Sequence, residues 1–421
     1  MKKPFTQGAV WRALRHRNFA LFLAGQGLSL CGTWMQSLAQ SWLVYRLTGS
    51  PLLLGLVGFA SQAPVLAFGL FGGVVADRWP RHRLLIATQT LSLIQAVALA
   101  GFTLSGQITV PWILGLAALL GLINAVDMPV RQSFIAELVP RADLPSAIGL
   151  NSSVFNAARI IGPSMAGVLV ATVGEGVCFL LNAISFLAVI GCLVAMRVPP
   201  RPRPIQENAM VFLAEGLRYA LRTPHVRAVL ALIAVLSLTA MPYTVLLPVF
   251  AGEILHSGAN GLGMLMAASG VGALAGALRI AQRKTIRGLG TVIARAGIVF
   301  GAGLLALATT QVLWLSILVL VAVGYGMITG MAGCNTLLQS LVPDQLRGRV
   351  MSLYTMFFLG TAPIGSLLAG AIAARAGTPL TFAAGGLGAI LGAVLFWRAL
   401  PGIRRHVQEH GLLPPEEFVS H

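Results

Sequence analysis

The sequence predicts an all-α polytopic membrane protein of twelve transmembrane helices, arranged as two pseudo-symmetric six-helix bundles. Three observations predict it. The chain of 421 residues is 57% hydrophobic and only 10% charged; its basic residues gather in alternate connections; and a set of short motifs returns 203 residues later. A mean hydropathy of +0.83 excludes a soluble globular chain, because so much apolar surface needs a lipid face. A helix needs about 20 apolar residues to cross the hydrocarbon. By that measure the spans fall near 18–46, 52–76, 84–105, 111–133, 143–172, 176–196, 227–253, 260–281, 289–309, 312–338, 349–374 and 379–399.

The net charge of +17 would suggest a nucleic-acid surface in a soluble protein, so the placement of the charges decides. Of the 29 Lys and Arg, only Arg46, Arg159 and Arg375 lie away from the terminal segments and the alternate connections, which hold Arg78, Arg81 and Arg83; Arg131 and Arg141; 197–227; 279–295; and Arg347 with Arg349. The other connections are short and almost uncharged. This is positive-inside topology, with no nucleic-acid partner and both termini expected on the cytoplasmic side of the cell inner membrane. Five basic residues between Met1 and Arg17, with no small-residue cleavage site, predict that no signal peptide is removed. The four cysteines (Cys31, Cys178, Cys192, Cys334) fall inside apolar segments without metal-ligand spacing, so neither a disulfide framework, a metal site nor a cofactor is expected.

Taken in order, the first span carries Gln26, Ser29, Thr33, Gln36 and Gln40 at mostly three- or four-residue spacing, with Trp34 and Met35 beside them. Such a stripe either lines a substrate cavity or bonds to neighbouring helices. After the second span, Gly73-Val-Val-Ala-Asp77-Arg78-Trp-Pro-Arg81-His-Arg83 forms a charged turn at headgroup level, with Gly69 and Gly73 on one small-residue face. The fourth span holds Asp127 and, one helical turn later, Arg131, with Pro129 between them. The fifth holds Arg159 near its middle. An ionisable residue at that depth costs on the order of 2.5–3.5 kcal/mol on insertion scales, so it is a functional candidate. Asp127, Arg131 and Arg159 are expected to form a buried network, either proton-coupling or permanently ionised. Gly149, Gly162, Pro163 and Gly167 permit kinking and close packing in the same span.

The stretch 197–226 opens on alternating proline and arginine, then places Phe212, Leu213, Leu217 and Leu221 at helical spacing. It predicts a linker with an interfacial amphipathic helix, dividing a bundle at 1–196 from one at 227–400. Pro242, Tyr243, Thr244 and Pro248 break the seventh span; Tyr325, Asn335 and Gln339 add polar atoms to the tenth, so Tyr243 and Asn335 are weaker cavity candidates. Asp344, Arg347 and Arg349 form a second charged inner loop, and 401–421 is a polar cytoplasmic tail. Glu175 and Glu253 fall at outer ends, where solvated surface roles are expected. The repeat pairs Leu138-Val-Pro140 with Leu341-Val-Pro343, Ile161-Gly162 with Ile364-Gly365, Ala166-Gly167 with Ala369-Gly370, Gly174 with Gly377 and Phe179 with Phe382. One register explains five matches. A parallel tandem repeat of this kind suits alternating access about a midplane site.

The order G-x-x-A-D-R-x-x-R-x-R around Asp77 resembles the loop after the second helix of the major facilitator superfamily, with Pro80 where family members usually have Gly. In that family the Asp holds the two halves together in the outward-facing state, and the resemblance implies that role for Asp77. Gly149, Gly162, Pro163 and Gly167 resemble the fifth-helix motif of the superfamily's antiporters, which goes with export; Ala158 and Ala166 replace two of its glycines. Arg17-Asn-Phe19, Phe22 to Ser29, Gly32 to Gln36, Trp42 to Tyr45 and Leu341 to Ser352 resemble the enterobactin-exporter branch. The resemblance implies a monomeric, proton-driven exporter of a small amphipathic drug or siderophore.

Other classes fare less well. No G-x-x-x-x-G-K-[ST] phosphate loop exists for an ATP-driven pump. The seven histidines lie in loops, tails or span ends without H-x-x-x-H spacing, which argues against a membrane enzyme. A lipid flippase or importer on the same fold, or a non-transporting sensor, remain as alternatives. Its expected partners are a small-molecule substrate, protons and the lipid bilayer.

Overall fold

The computed structural model describes residues 11–198, 209–283 and 285–409, and among them there is no β-strand. Six helices come first: α1 (Arg17–Thr48), α2 (Pro51–Arg78), α3 (Arg81–Leu104), α4 (Val110–Leu138), α5 (Leu144–Val173) and α6 (Glu175–Val194). Next is α7 (Ala209–Arg222), followed by α8 (Pro224–Val235) and α9 (Tyr243–Val249). Then follow α10 (Gly258–Ala281), α11 (Leu289–Thr309), α12 (Leu313–Leu341), α13 (Asp344–Ala376) and α14 (Thr378–Glu409). Prolines at first-turn positions open α4, α5 and α8, where a missing N–H costs nothing.

Among the described residues eleven stretches are long and apolar enough to cross a bilayer, one of them Pro224–Ile254, which joins α8 and α9 through π-helical turns. The first span of the expected twelve is the one outside this set: α1 is 32 residues long, but its glutamines lower its apolarity. The break expected in the seventh span is present as the π turn at Leu236–Ala240 before Pro242. The charged segments are shorter connections than the sequence predicts. Only Trp79 and Pro80 separate α2 from α3, and Asp344, Arg347 and Arg349 belong to the first turns of α13 rather than to a loop. The side chains of Asp77 and Asp344, the proline-rich 199–208 and the tail beyond Glu409 lie outside the described residues.

The chain divides into two compact units: Met1–Leu47, Ala60–Gln206 and Gly258–Ala267 form unit 1, and Thr48–Phe59, Glu207–Ser257 and Ala268–His421 form unit 2. The start of α2 thus belongs to unit 2 and the start of α10 to unit 1. The repeat read from sequence is repeated in backbone geometry. The helix α4 begins at Val110 and ends at Leu138; α12 begins at Leu313 and ends at Leu341, each 203 residues on. Gly174 and Gly377 both turn the chain with left-handed φ, +86° and +85°, a conformation that penalises any side chain with a Cβ. Phe179 and Phe382 are both fully buried.

In unit 1 a core of Phe19, Phe22, Leu85, Val130, Phe134 and Leu193 locks α1, α3, α4 and α6 together. The Phe22 and Phe134 rings meet edge to face, 5.8 Å between centroids. Leu85 lies three residues before Thr88 and Val130 three after Asp127, so this cluster sets the register of α3 against α4. In unit 2, α7 packs against α13. A Cβ on Gly216 would lie 3.0 Å from Arg349 Cβ, and Glu215 pairs with Arg349. Ala220 is buried there while Leu217 and Leu221 are exposed, so the linker helix is docked on protein along one face.

Candidate functional site

Asp127 is 1% exposed, which alone would make an ionised carboxylate very costly at bilayer depth. Three donors meet it. Thr88 Oγ1 donates to Oδ1 at 2.7 Å, Gln89 Nε2 donates to the same oxygen at 2.9 Å, and Arg131 Nη2 pairs with Oδ2 from one turn along α4. Loss of the carboxylate charge would leave the Arg131 guanidinium without its counter-charge. Arg159 does not donate to this carboxylate: its described hydrogen bond runs from Nη2 to Asn156 Oδ1 within α5, 3.1 Å. The expected triad therefore comes together as Asp127 with Arg131, plus Thr88 and Gln89.

The polar stripe of α1 divides. Gln26, Ser29 and Gln36 are buried, and Thr33 Oγ1 donates to the Ser29 carbonyl of its own helix at 2.8 Å. Gln36 sits in a relay: Asn182 Nδ2 donates to Gln36 Oε1 at 2.7 Å, Gln36 Nε2 to Gln95 Oε1 at 3.2 Å, and Gln95 Nε2 to the Leu116 carbonyl at 3.3 Å. These bonds tie α1, α3, α4 and α6. Trp34 faces another way and meets Phe155 of α5 edge to face, 6.1 Å between centroids. Of the antiporter-like glycines, Gly162 is required by packing: a Cβ there would lie 2.6 Å from Trp34 Cβ. A Cβ on Gly167 would lie 2.9 Å from Gly263 Cα, next to buried Pro163, whereas Gly149 has open space.

Near the ends of the unit 1 helices, Arg81 donates to Glu137 at 2.7 Å and His16 lies 2.9 Å from Asp143. Arg78 and Arg83 are exposed, and a Cβ on Gly73 would meet nothing within 4 Å. Glu175 corrects the expectation of a solvated acid: it is 6% exposed and gripped by Arg46 through Nε (2.8 Å) and Nη2 (3.1 Å). It also sits in the first turn of α6, where the helix dipole favours an anion. In unit 2, Tyr243 shares a 2.7 Å bond with Ser269, Gln339 donates to Asn335 at 2.5 Å, and Arg347 is exposed. No group of three metal-ligating side chains gathers among the described residues.

Sequence reasoning missed Thr88, Gln89, Gln95, Glu137, Phe155 and Asn182. A signal existed for the first three: Thr88, Gln89, Ser92 and Gln95 form a buried polar stripe on α3, at the same spacing that drew attention to α1.

With this geometry in place, known proteins supply the family. A family profile described as transmembrane secretion effector, MFS_3, matches residues 8–414. The chain belongs to this family of the major facilitator superfamily. It is similar to the staphyloferrin A transporter of Staphylococcus aureus, 25% identical over 93% of this chain and 99% of that one. It is 28% identical to the multidrug efflux pump Tap of Mycolicibacterium fortuitum, over 87% of this chain and 90% of the relative. To the enterobactin exporter EntS of Shigella boydii it is 26% identical, over 95% of both. Among solved structures, an inward-facing bacterial homologue of the lysosomal transporter Spinster has a TM-score of 0.70 at 14% identity, covering 92% of this chain and 97% of that one; this likeness shows the fold. The protein is thus a multi-pass membrane transporter and not an enzyme.

Proposed function

We propose that the protein is a proton-coupled exporter of small amphipathic compounds, drugs or siderophores, working by alternating access. It acts as a monomer in the cell inner membrane with both termini cytoplasmic, and α1 is its twelfth crossing. The observation that carries the reading is Asp127, a carboxylate within the bilayer held by two neutral donors and one arginine. An acid placed so can exist in two protonation states with different helix contacts, which is what coupling requires. The export direction is supported by the glycines and proline of α5 and by relatives named as exporters and efflux pumps. The charged ends at Asp77 and Asp344, with Arg81 and Arg349, act as the inner gate.

The test is proton release from acidified everted membrane vesicles when a panel of catecholate, carboxylate and cationic compounds is added. Release upon addition of at least one compound, absent from vesicles lacking the protein, is the expected result. No release with any compound, together with headgroup-dependent lipid movement, would replace the exporter with a flippase.

A further inference from the structure

One exposed edge of unit 2 carries cations among side chains that otherwise suit lipid. Helices α11 and α14 both belong to stretches that can cross the bilayer, Leu289–Thr309 and Thr378–Ile403. A Cβ on Gly290 would lie 2.5 Å from Leu400 Cδ2, one on Gly297 2.8 Å from Ala393 Cβ, and one on Gly301 2.5 Å from the Gly386 carbonyl. The partner numbers fall as the glycine numbers rise, so the two helices pack antiparallel in a register set by close backbones. That register brings Arg295 level with Trp397, and its guanidinium stands over the indole, 5.9 Å from the ring centroid.

The depth of this pair follows from helix rise. Arg295 is six residues into α11 from Leu289, about 9 Å along the axis. Trp397 is nineteen residues beyond Thr378, about 28 Å, which is close to the roughly 30 Å thickness of the hydrocarbon. Both counts put the pair just inside one face of the membrane, where tryptophan is at home. Arg295, Trp397 and Arg398 are all exposed, and so are Val299 one turn along α11 and Leu391 and Leu395 on α14. The apolar members of this face meet acyl chains, so the arginines reach along them toward the headgroups.

No acid of these two helices can neutralise the charge there. Helix α11 contains no Asp or Glu, and the single one in α14, Glu409, is three turns past Arg398. The indole takes the flat side of the Arg295 guanidinium and leaves the N–H donors at its edge to an acceptor from the membrane. At the equivalent end of α6, 203 residues back, Trp397 and Arg398 are Val194 and Ala195. Packing of the repeat therefore requires neither the ring nor the charge.

We propose that Arg295, Trp397 and Arg398 bind the phosphate of an anionic phospholipid whose acyl chains lie along Val299, Leu391 and Leu395. Arginine suits the role because its planar fork engages two phosphate oxygens and its charge is permanent. A zwitterionic lipid carries its own cation beside the phosphate, which two guanidinium groups repel, so the site selects anionic lipid.

The test is lipid retention by the full chain. Purified protein in detergent is titrated with dioleoyl phosphatidylglycerol and dioleoyl phosphatidylcholine, which share their acyl chains and differ in net charge, and native mass spectrometry counts the lipids that stay bound. For the first bound lipid, wild type should favour the anionic one by at least about tenfold. Arg295→Gln combined with Arg398→Gln should bring that ratio to about one, whereas Arg295→Lys should keep most of it. Arg218→Gln combined with Arg222→Gln removes two exposed charges from α7 and should leave the ratio at its wild-type value, which separates this site from net charge. The proposal is overturned if wild type retains the two lipids equally, if the Arg295 and Arg398 double variant keeps the wild-type ratio, or if the α7 double variant lowers it as much. A wild-type dimer that excludes lipid would overturn it too, by giving the face to a second copy of the chain. The comparison of lipids on wild type needs no variant to fold.

Discussion

Asp127 in unit 1 and Gly330 in unit 2 stand at the same place in the two repeats, 203 residues apart, and what surrounds them differs in chemistry far more than in packing. Asp127 accepts from Thr88, whereas a Cβ placed on Gly330 would meet the methyl of Ala296 at 4.0 Å. Gln36 and Asn182, hydrogen-bonded in unit 1, become Thr239 and Gly385, where a Cβ would lie 2.6 Å from the Thr239 carbonyl. The Trp34–Phe155 ring contact becomes a hydrogen bond from Ser237 to the Phe358 carbonyl. Arg159 becomes Ala362. At these positions the helices stay close in unit 2, but Asp127, Gln36, Asn182 and Arg159 are replaced by Gly330, Thr239, Gly385 and Ala362. Packing the repeat needs small residues and close backbones, and these recur in both units.

Substitutions break or sharpen this comparison. Asp127→Ala strands the Arg131 charge in the bilayer, and thermal unfolding in detergent should report a loss of about 3–5 kcal/mol. The equivalent Gly330→Ala meets ordinary contact with Ala296 and should cost far less. Gln36→Leu orphans Asn182 and Gln95 and should lower stability by about 1–3 kcal/mol, with no change in the pH dependence of transport; a shifted pH profile would move coupling into the relay. Gly174→Ala and Gly377→Ala should each cost about 1–2 kcal/mol, and equally, since their φ values agree within a degree. The smallest effect is expected for Glu215→Gln, whose partner Arg349 lies at the docked linker helix: the pair is part-exposed, so about 0.2–1 kcal/mol is at stake.

How much of this was legible in the sequence follows from range. Hydrophobic length and the basic connections located the spans because both are local properties of the chain. The Asp127–Arg131 pair was legible because one helix carries both members four residues apart. Thr88 and Gln89 were not, since they approach from another helix and nothing in a single sequence pairs α3 with α4. Glu175 was misplaced for the same reason: an acid at a helix end looks solvated until Arg46, 129 residues away, is brought against it. The α1 stripe was visible as a stripe, but only the fold separates Gln36, turned inward to Asn182, from Trp34, turned to Phe155.

The central claim is that the proton is handled at Asp127. The most direct test is substrate accumulation in everted vesicles of wild type and Asp127→Asn, each with and without an imposed acid interior. Asparagine keeps the size of the side chain and one acceptor oxygen, enough for Thr88 and Gln89 but not for Arg131, so both proteins are compared at equal folded amount. Downhill flux should then survive in Asp127→Asn while accumulation driven by the pH gradient is lost. Gradient-driven accumulation at the wild-type level in that variant would contradict the account.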